Sequence, residues 1–154
     1  MRLQVSTRLA IFAVLELTAR EGLQLSVAEI GEKYGVSSHH LAKVMHVMGR
    51  AGLVRSIRGA GGGYQFIGNA RRTTLLDVAQ LFEDPSSVEQ AAAADATREE
   101  QTLSEILNEI DDIARATLGS ITIATMRKLV ERRSAGTGQD LKAGLPRRRN
   151  SPHL

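Results

Sequence analysis

The chain has no cysteine and no tryptophan among its 154 residues, and aromatic side chains of every kind make up only 3%. Without cysteine there is no disulfide, no thiolate nucleophile and no Cys-ligated metal or cluster site. With so few aromatics the chain lacks the platforms on which proteins stack single-stranded bases, so duplex binding is favoured over single-strand binding. Long apolar runs are missing as well. None approaches the roughly 20 residues of a membrane span, and the opening MRLQVSTRLAIFAVLEL places polar residues at helical intervals. A cytoplasmic protein without membrane association is expected. Catalytic groupings are absent too: of the histidines, His39, His40 and His46 share one short segment and His153 lies in the tail, with no Ser/His/Asp or paired-acid pattern around them. No enzyme, no metal site and no cofactor is expected.

What is present is a segregation of charge. The formal net charge is only +3, yet residues 1–72 carry ten Lys/Arg against four Asp/Glu, and residues 83–112 carry ten acids against the single base Arg98. The first part can meet phosphate and the second cannot. The acidic run reads equally well as a solvated face.

The local patterns are mainly helical, with one β-hairpin. Leu9, Ile11, Phe12, Leu15 and Ala19 recur at helical spacing over Thr7 to Arg20, with Ser6 as the expected N-cap. Ser26 then caps a short helix, Val27 to Tyr34, which Gly35 ends with a sharp turn. Ser37 caps a third helix from Ser38 to about Ala51, with Leu41, Val44, Met45 and Met48 as its inward stripe and Gly52 as its C-terminal stop. At 3.6 residues per turn, the face opposite that stripe holds His39, Lys43, His46 and Arg50. Two cations and two histidines facing outward, directly after a helix-turn-helix turn, suit a phosphate-lined groove.

Leu53 to Ile57 and Tyr64 to Ile67 read as paired strands, which makes Arg58 to Gly63 a hairpin tip. The tip, RGAGGG, has almost no side chain behind Arg58. Gly59, Gly61 and their neighbours let the backbone approach a sugar-phosphate wall or a narrow minor groove. A nucleotide-cradling loop is excluded by context, because no helix N-terminus follows and no Walker lysine is present. The whole is a winged helix-turn-helix.

After Arg71 and Arg72, Thr74 caps a helix running through Leu75, Leu76, Val78, Ala79, Leu81 and Phe82, and Pro85 breaks it. Residues 85–97, PSSVEQAAAADAT, are a low-complexity connector. From about Arg98, Leu103, Ile106, Leu107, Ile110, Ile113, Ala114 and Leu118 repeat at close to 3.5 residues, opposite Glu105, Glu109 and Asp112. A small winged domain cannot cover so long a stripe, so a symmetric partner helix is the economical solution and a homodimer is expected. A short last helix is expected from Thr122 to about Arg133, and disorder after Ser134. The expected organisation is a DNA-binding domain over 1–83, a connector and sensor loop over 84–97, a dimerisation helix and last helix over 98–133, and a basic tail over 134–154.

These residues resemble a known family, the Rrf-type winged-helix regulators that include IscR, NsrR and CymR. The resemblance is carried by MRL at the start, Arg8 and Ala10, AEIGEKYGVSSHHLAKVM, GLVRSIRGAGGGY, LLDV and ITIATM, and leaves only the connector and tail outside it. It implies a homodimeric bacterial transcription regulator, of repressor type, that binds a palindromic double-stranded operator. By position, it places the reader-helix contacts on Ser37, Ser38, His39, His40 and Lys43, the wing contacts on Arg58, Gly59 and Gly61, and backbone contacts on Arg2 and Arg8. Arg50 comes from the helical wheel rather than from the resemblance.

The departure from the family concerns its sensor. Cluster-binding members carry three cysteines between the fourth helix and the start of the dimer helix, at places that fall near Glu89, Asp95 and Gln101 here, with a histidine place near Ser104. None of these residues supplies a thiolate. Three explanations stand: another signal sensed through the connector, constitutive DNA binding, or replaced cysteines in an engineered chain, although the alanines at 91–94 do not coincide with the ligand places. A hard-metal site of Glu89, Asp95, Glu99 and Glu100 has no support from spacing. The competing reading of the whole chain is a winged helix used as a protein-interaction module, acting through the acidic connector and the long helix. In either case the effector is unknown.

Overall fold

A computed structural model describes residues 3–20, 22–83 and 96–143, with side chains described through residue 136. The elements in order are α1 (Val5–Ala19), α2 (Val27–Tyr34), α3 (Ser38–Arg50), β1 (Val54–Ile57), β2 (Gly63–Phe66), α4 (Leu75–Ala79), α5 (Arg98–Ser120) and α6 (Ile123–Ala143). It is a mainly helical fold with one small antiparallel hairpin, registered Val54 on Phe66 through Ile57 on Gly63.

Most of these boundaries follow from local chemistry. The Ser26 hydroxyl accepts the Glu29 N–H while the Glu29 carboxylate accepts the Ser26 N–H, a reciprocal cap worth about 1 kcal/mol that starts α2. Thr74 and Asp77 start α4 in the same way, and Thr97 and Glu100 start α5. At the end of α3, Gly52 takes φ +75°. Its N–H reaches the Gly49 carbonyl and the Leu53 N–H reaches that of Met48, the pair of bonds that terminates a helix with a left-handed residue.

α1 differs from the local reading. It begins at Val5 rather than Thr7, and Ser6 lies inside its first turn instead of capping it. The cap comes from far along the chain. Glu83 Oε1 accepts the Gln4 backbone N–H at 2.9 Å and the hydroxyl of the buried Thr7 at 2.5 Å. α4 is also shorter than its apolar pattern, closing at Ala79, with Leu81 and Phe82 in turns that still pack on the core. α6 runs past Arg133 to Ala143, so the first residues assigned to a disordered tail are helical. The connector residues 84–95 and residues 144–154 lie outside the described residues.

The core gathers α1, the inward stripe of α3, and residues brought in from the C-terminal half. Leu9, Ala10, Val14 and Leu17 of α1 meet Leu41, Val44, Met45 and Met48 of α3, with Ile30, Val54, Val78 and Ile123 closing the cluster. Burying each large side chain contributes about 1.5–3 kcal/mol. The segment between α5 and α6 is laced to the chain after the hairpin. Leu75 N–H donates to Ile121, Ile123 N–H to Thr73, and Ala124 N–H to Ala70, at 2.8–2.9 Å. The junction of the long helices is thus joined by backbone hydrogen bonds to the segment that leads from the hairpin into α4.

Candidate nucleic-acid interface

α3 and the hairpin both present basic groups to solvent. On α3, His39, Lys43, His46 and Arg50 are exposed, while the opposite stripe of Leu41, Val44, Met45 and Met48 is buried. The helix starts at Ser37, whose hydroxyl accepts the His40 N–H at 3.2 Å, and Ser38 at its first position is exposed. His40, given by the resemblance and not by the outward stripe, is set differently from the other two histidines of α3. It is half-buried, with Nε2 3.5 Å from the hydroxyl of Ser6 on α1, so its ring leans on the body of the domain. Arg8 is exposed on α1, and Arg2 lies outside the described residues.

The hairpin tip is ordered by its own backbone. Gly59 at φ +106° and Gly61 at φ +71° occupy conformations that side-chain-bearing residues rarely adopt. The Gly62 N–H closes onto the Gly59 carbonyl at 3.0 Å, and a Cβ on Gly62 would stand 2.4 Å from the Ile57 carbonyl oxygen. Arg58 is exposed at the start of this tip. Behind it, Arg55 reaches across the hairpin to Gln65, donating from Nε and Nη2 at 3.1 and 2.7 Å.

The hairpin is also held to the loop between α1 and α2. Leu25 and Tyr64 exchange backbone hydrogen bonds at 3.0 and 2.8 Å, and a Cβ on Gly63 would stand 2.5 Å from the Leu25 carbonyl oxygen. One residue earlier, the Gln24 side-chain amide donates to the Gly61 carbonyl at the tip. Sequence reasoning missed Gln24. A lone glutamine between two leucines carries no motif, and its partner is far along the chain.

The helix-turn-helix is braced by a buried-edge cluster. Glu16 on α1 accepts from Lys33 and from the Tyr34 hydroxyl, and the Tyr34 ring stacks on Phe12 with centroids 4.9 Å apart. Burial acts to raise the Glu16 pKa, but the hydrogen bonds from Lys33 and Tyr34 outweigh it and hold the carboxyl below its ordinary range. Burial and the same carboxylate push the Tyr34 hydroxyl up.

α5 presents a different surface. None of its residues is buried in the single chain, and Leu103, Ile106, Leu107, Ile110 and Ile113 are each about half exposed or more, at 48–61%. Ala114 is half-buried. Leu118 is half-buried and packs against the core of its own chain.

Comparison with known proteins gives a family. The model of the Rrf2 family, described as an iron-dependent transcriptional regulator, matches residues 3–128. The HTH-type transcriptional regulator BadM of Rhodopseudomonas palustris is a relative with 46% identity over 140 residues, 90% of each chain. Among solved structures, IscR of T. potens is similar with a TM-score of 0.69 at 24% identity, over 84% of this chain and 88% of that one. CymR, the global cysteine regulator of B. subtilis, gives 0.69 at 25% identity, over 84% and 98%.

The iron in the family's description finds no thiolate here, since the chain has no cysteine. Among the described residues no three His, Asp or Glu side chains stand close enough to hold a metal ion. Gln101, near one expected ligand place, is exposed and spends its side-chain amide on the Ala96 carbonyl. A cysteine-held iron-sulfur cluster does not fit these residues. Among the same residues, no helix is long and apolar enough to cross a membrane.

Proposed function

The chain belongs to the Rrf2 family of DNA-binding transcriptional regulators, and from that premise we propose that it acts as a homodimer on a palindromic operator, reading it with α3 and the hairpin wing. The observation that carries the reading is the exposed outward face of α3, His39, Lys43 and Arg50, together with a glycine tip led by the exposed Arg58. In such a pairing the helix enters the major groove and the wing follows the adjacent backbone or minor groove. Arg8 supplies a further phosphate contact from α1, and Ser37 and Ser38 bring the start of α3 close to the backbone.

The dimer reading is supported by the apolar row of α5. A 23-residue helix at about 1.5 Å per residue is about 34 Å long. Its exposed leucines and isoleucines repeat at the spacing of a helix-pairing seam, and pairing two copies buries them. Such a dimer, seated across a promoter, obstructs polymerase unless a further contact recruits it, so repression is the sign we assign.

The test is anisotropy titration of duplex fragments flanking the gene. The wild type should retain one fragment with a steep salt dependence, and each phosphate contact removed should flatten the log-log slope by about 0.9. Lys43→Ala combined with Arg58→Ala should abolish the preference for that fragment. Unchanged binding by the double variant overturns the reading.

A further inference from the structure

We propose that Gln24, on the loop between α1 and α2, is a positioning residue for the wing: its side-chain amide fixes the tip of the hairpin in the pose that meets DNA. The proposal rests on the reading of the wing as a DNA contact. Its ground is the hydrogen bond from Gln24 Nε2 to the Gly61 carbonyl. A backbone carbonyl only accepts, so the amide nitrogen is the atom that must face it. Gln24 is half-buried, and the neighbouring Leu25 is paired to Tyr64 by backbone bonds at 3.0 and 2.8 Å. The donor therefore stands on a fixed support.

The reason such a tether matters is the composition of the tip. Glycine loses more conformational freedom on ordering than any other residue, and this tip holds Gly59, Gly61, Gly62 and Gly63. Left free, it would have to be ordered when DNA binds, at the expense of affinity. The hairpin ladder stops at the Ile57–Gly63 pair. Beyond that pair, the Gly62–Gly59 turn bond and Gln24 hold the tip. Of these two, only the Gln24 bond ties the tip to the helical body and sets its direction relative to α3.

The experiment compares wild type with Gln24→Met, which keeps the size of the side chain and removes the donor. Melting temperature and dimer mass are measured beside operator affinity and a hydroxyl-radical footprint. The expected result is unchanged melting and mass, binding weaker by about tenfold, the scale of re-ordering one backbone unit, and a footprint that fades at the wing flank while the α3 region stays protected. Arg58→Ala should then cost much less in the Gln24→Met background than in the wild type, since the wing is already misplaced. Wild-type affinity with an intact wing footprint overturns the proposal, as does a fully additive loss with Arg58→Ala. If the wild type retains no duplex at all, it is the DNA-binding reading that fails, so the two failures are told apart.

Discussion

Arg127, on α6, donates from Nη1 to the carbonyl oxygen of Thr18 at 2.7 Å, joining the last helix to the last turn of the first. The final carbonyls of a helix have no partner within it, and a cation there also meets the negative end of the helix dipole. With Glu83 capping the opposite end of α1, the central helix of the reader is held at both ends by residues from beyond the wing. The pose of α3, which packs on α1, is thereby tied to the base of the long helices.

Arg127→Met should therefore destabilise the fold although the residue is remote from the DNA-reading surface. A hydrogen bond to a charged group contributes about 1.5–3 kcal/mol, and a loss of that size is expected as a lower urea midpoint. The slope of the transition should stay the same, because the surface exposed on unfolding is little changed. A variant as stable as the wild type would contradict the bracing role.

Glu16 gives a pH signature. Its folded carboxyl lies below the ordinary value of 4.5, so the unfolded chain takes up the proton first. The resulting stabilisation is fully present above about pH 4.5 and is lost as the pH falls through the lower folded value. Glu16→Gln should be less stable than wild type at neutral pH, and the two urea midpoints should converge in acid. A gap that persists unchanged in acid would mean that the ionised carboxylate is not what Lys33 and Tyr34 need.

The turn of the helix-turn-helix has its own constraint. A Cβ at Gly31 would stand 2.5 Å from the Val36 carbonyl oxygen and 3.4 Å from Leu41 Cδ1. The clash is with backbone, which cannot swing aside as a side-chain tip can. Gly31→Ala should cost about 1–3 kcal/mol as an overpacked site, although alanine is otherwise the better helix former. Thermal unfolding that shows no loss would mean the turn can open without cost.

Which parts of this molecule were legible in the sequence follows from how local their causes are. The starts of α2, α3 and α4 were readable because a cap and the N–H it bonds lie within one turn, as with Ser26, Ser37 and Thr74. The wing was readable because strand pairing and a glycine run are adjacent. Ser6 misled because α1 is capped by Glu83, and nothing near Ser6 encodes a carboxylate arriving from so far along the chain. His40 is placed by the resemblance alone, and its contact with Ser6 on α1 joins two helices in a way that no local pattern encodes. Leu118 continues the periodicity of the seam, yet it also packs against the core of its own chain, a contact that the local pattern does not encode. The segment after Ser134 lacks apolar periodicity and reads as disordered, yet α6 continues through Gly136; an interior glycine costs only about 1 kcal/mol relative to alanine and does not by itself stop a helix.

The exposed row of α5 leads to the last prediction. Ile106 and Ile110 lie one turn apart and are 51% and 48% exposed in the single chain. If the row is the seam of a homodimer, placing a carboxylate at both positions buries like charges against each other, which an apolar interface cannot compensate. Ile106→Glu with Ile110→Glu should yield a folded monomer in analytical ultracentrifugation, with the helical content of the wild type, because neither residue belongs to the core of its own chain. The same variant should bind a half-site as weakly as the full palindrome, since the gain from two linked reading heads is an effective-concentration effect that vanishes with the link. A monomeric wild type would refute the homodimer, and a double variant that remains dimeric and prefers the palindrome would place the pairing surface elsewhere.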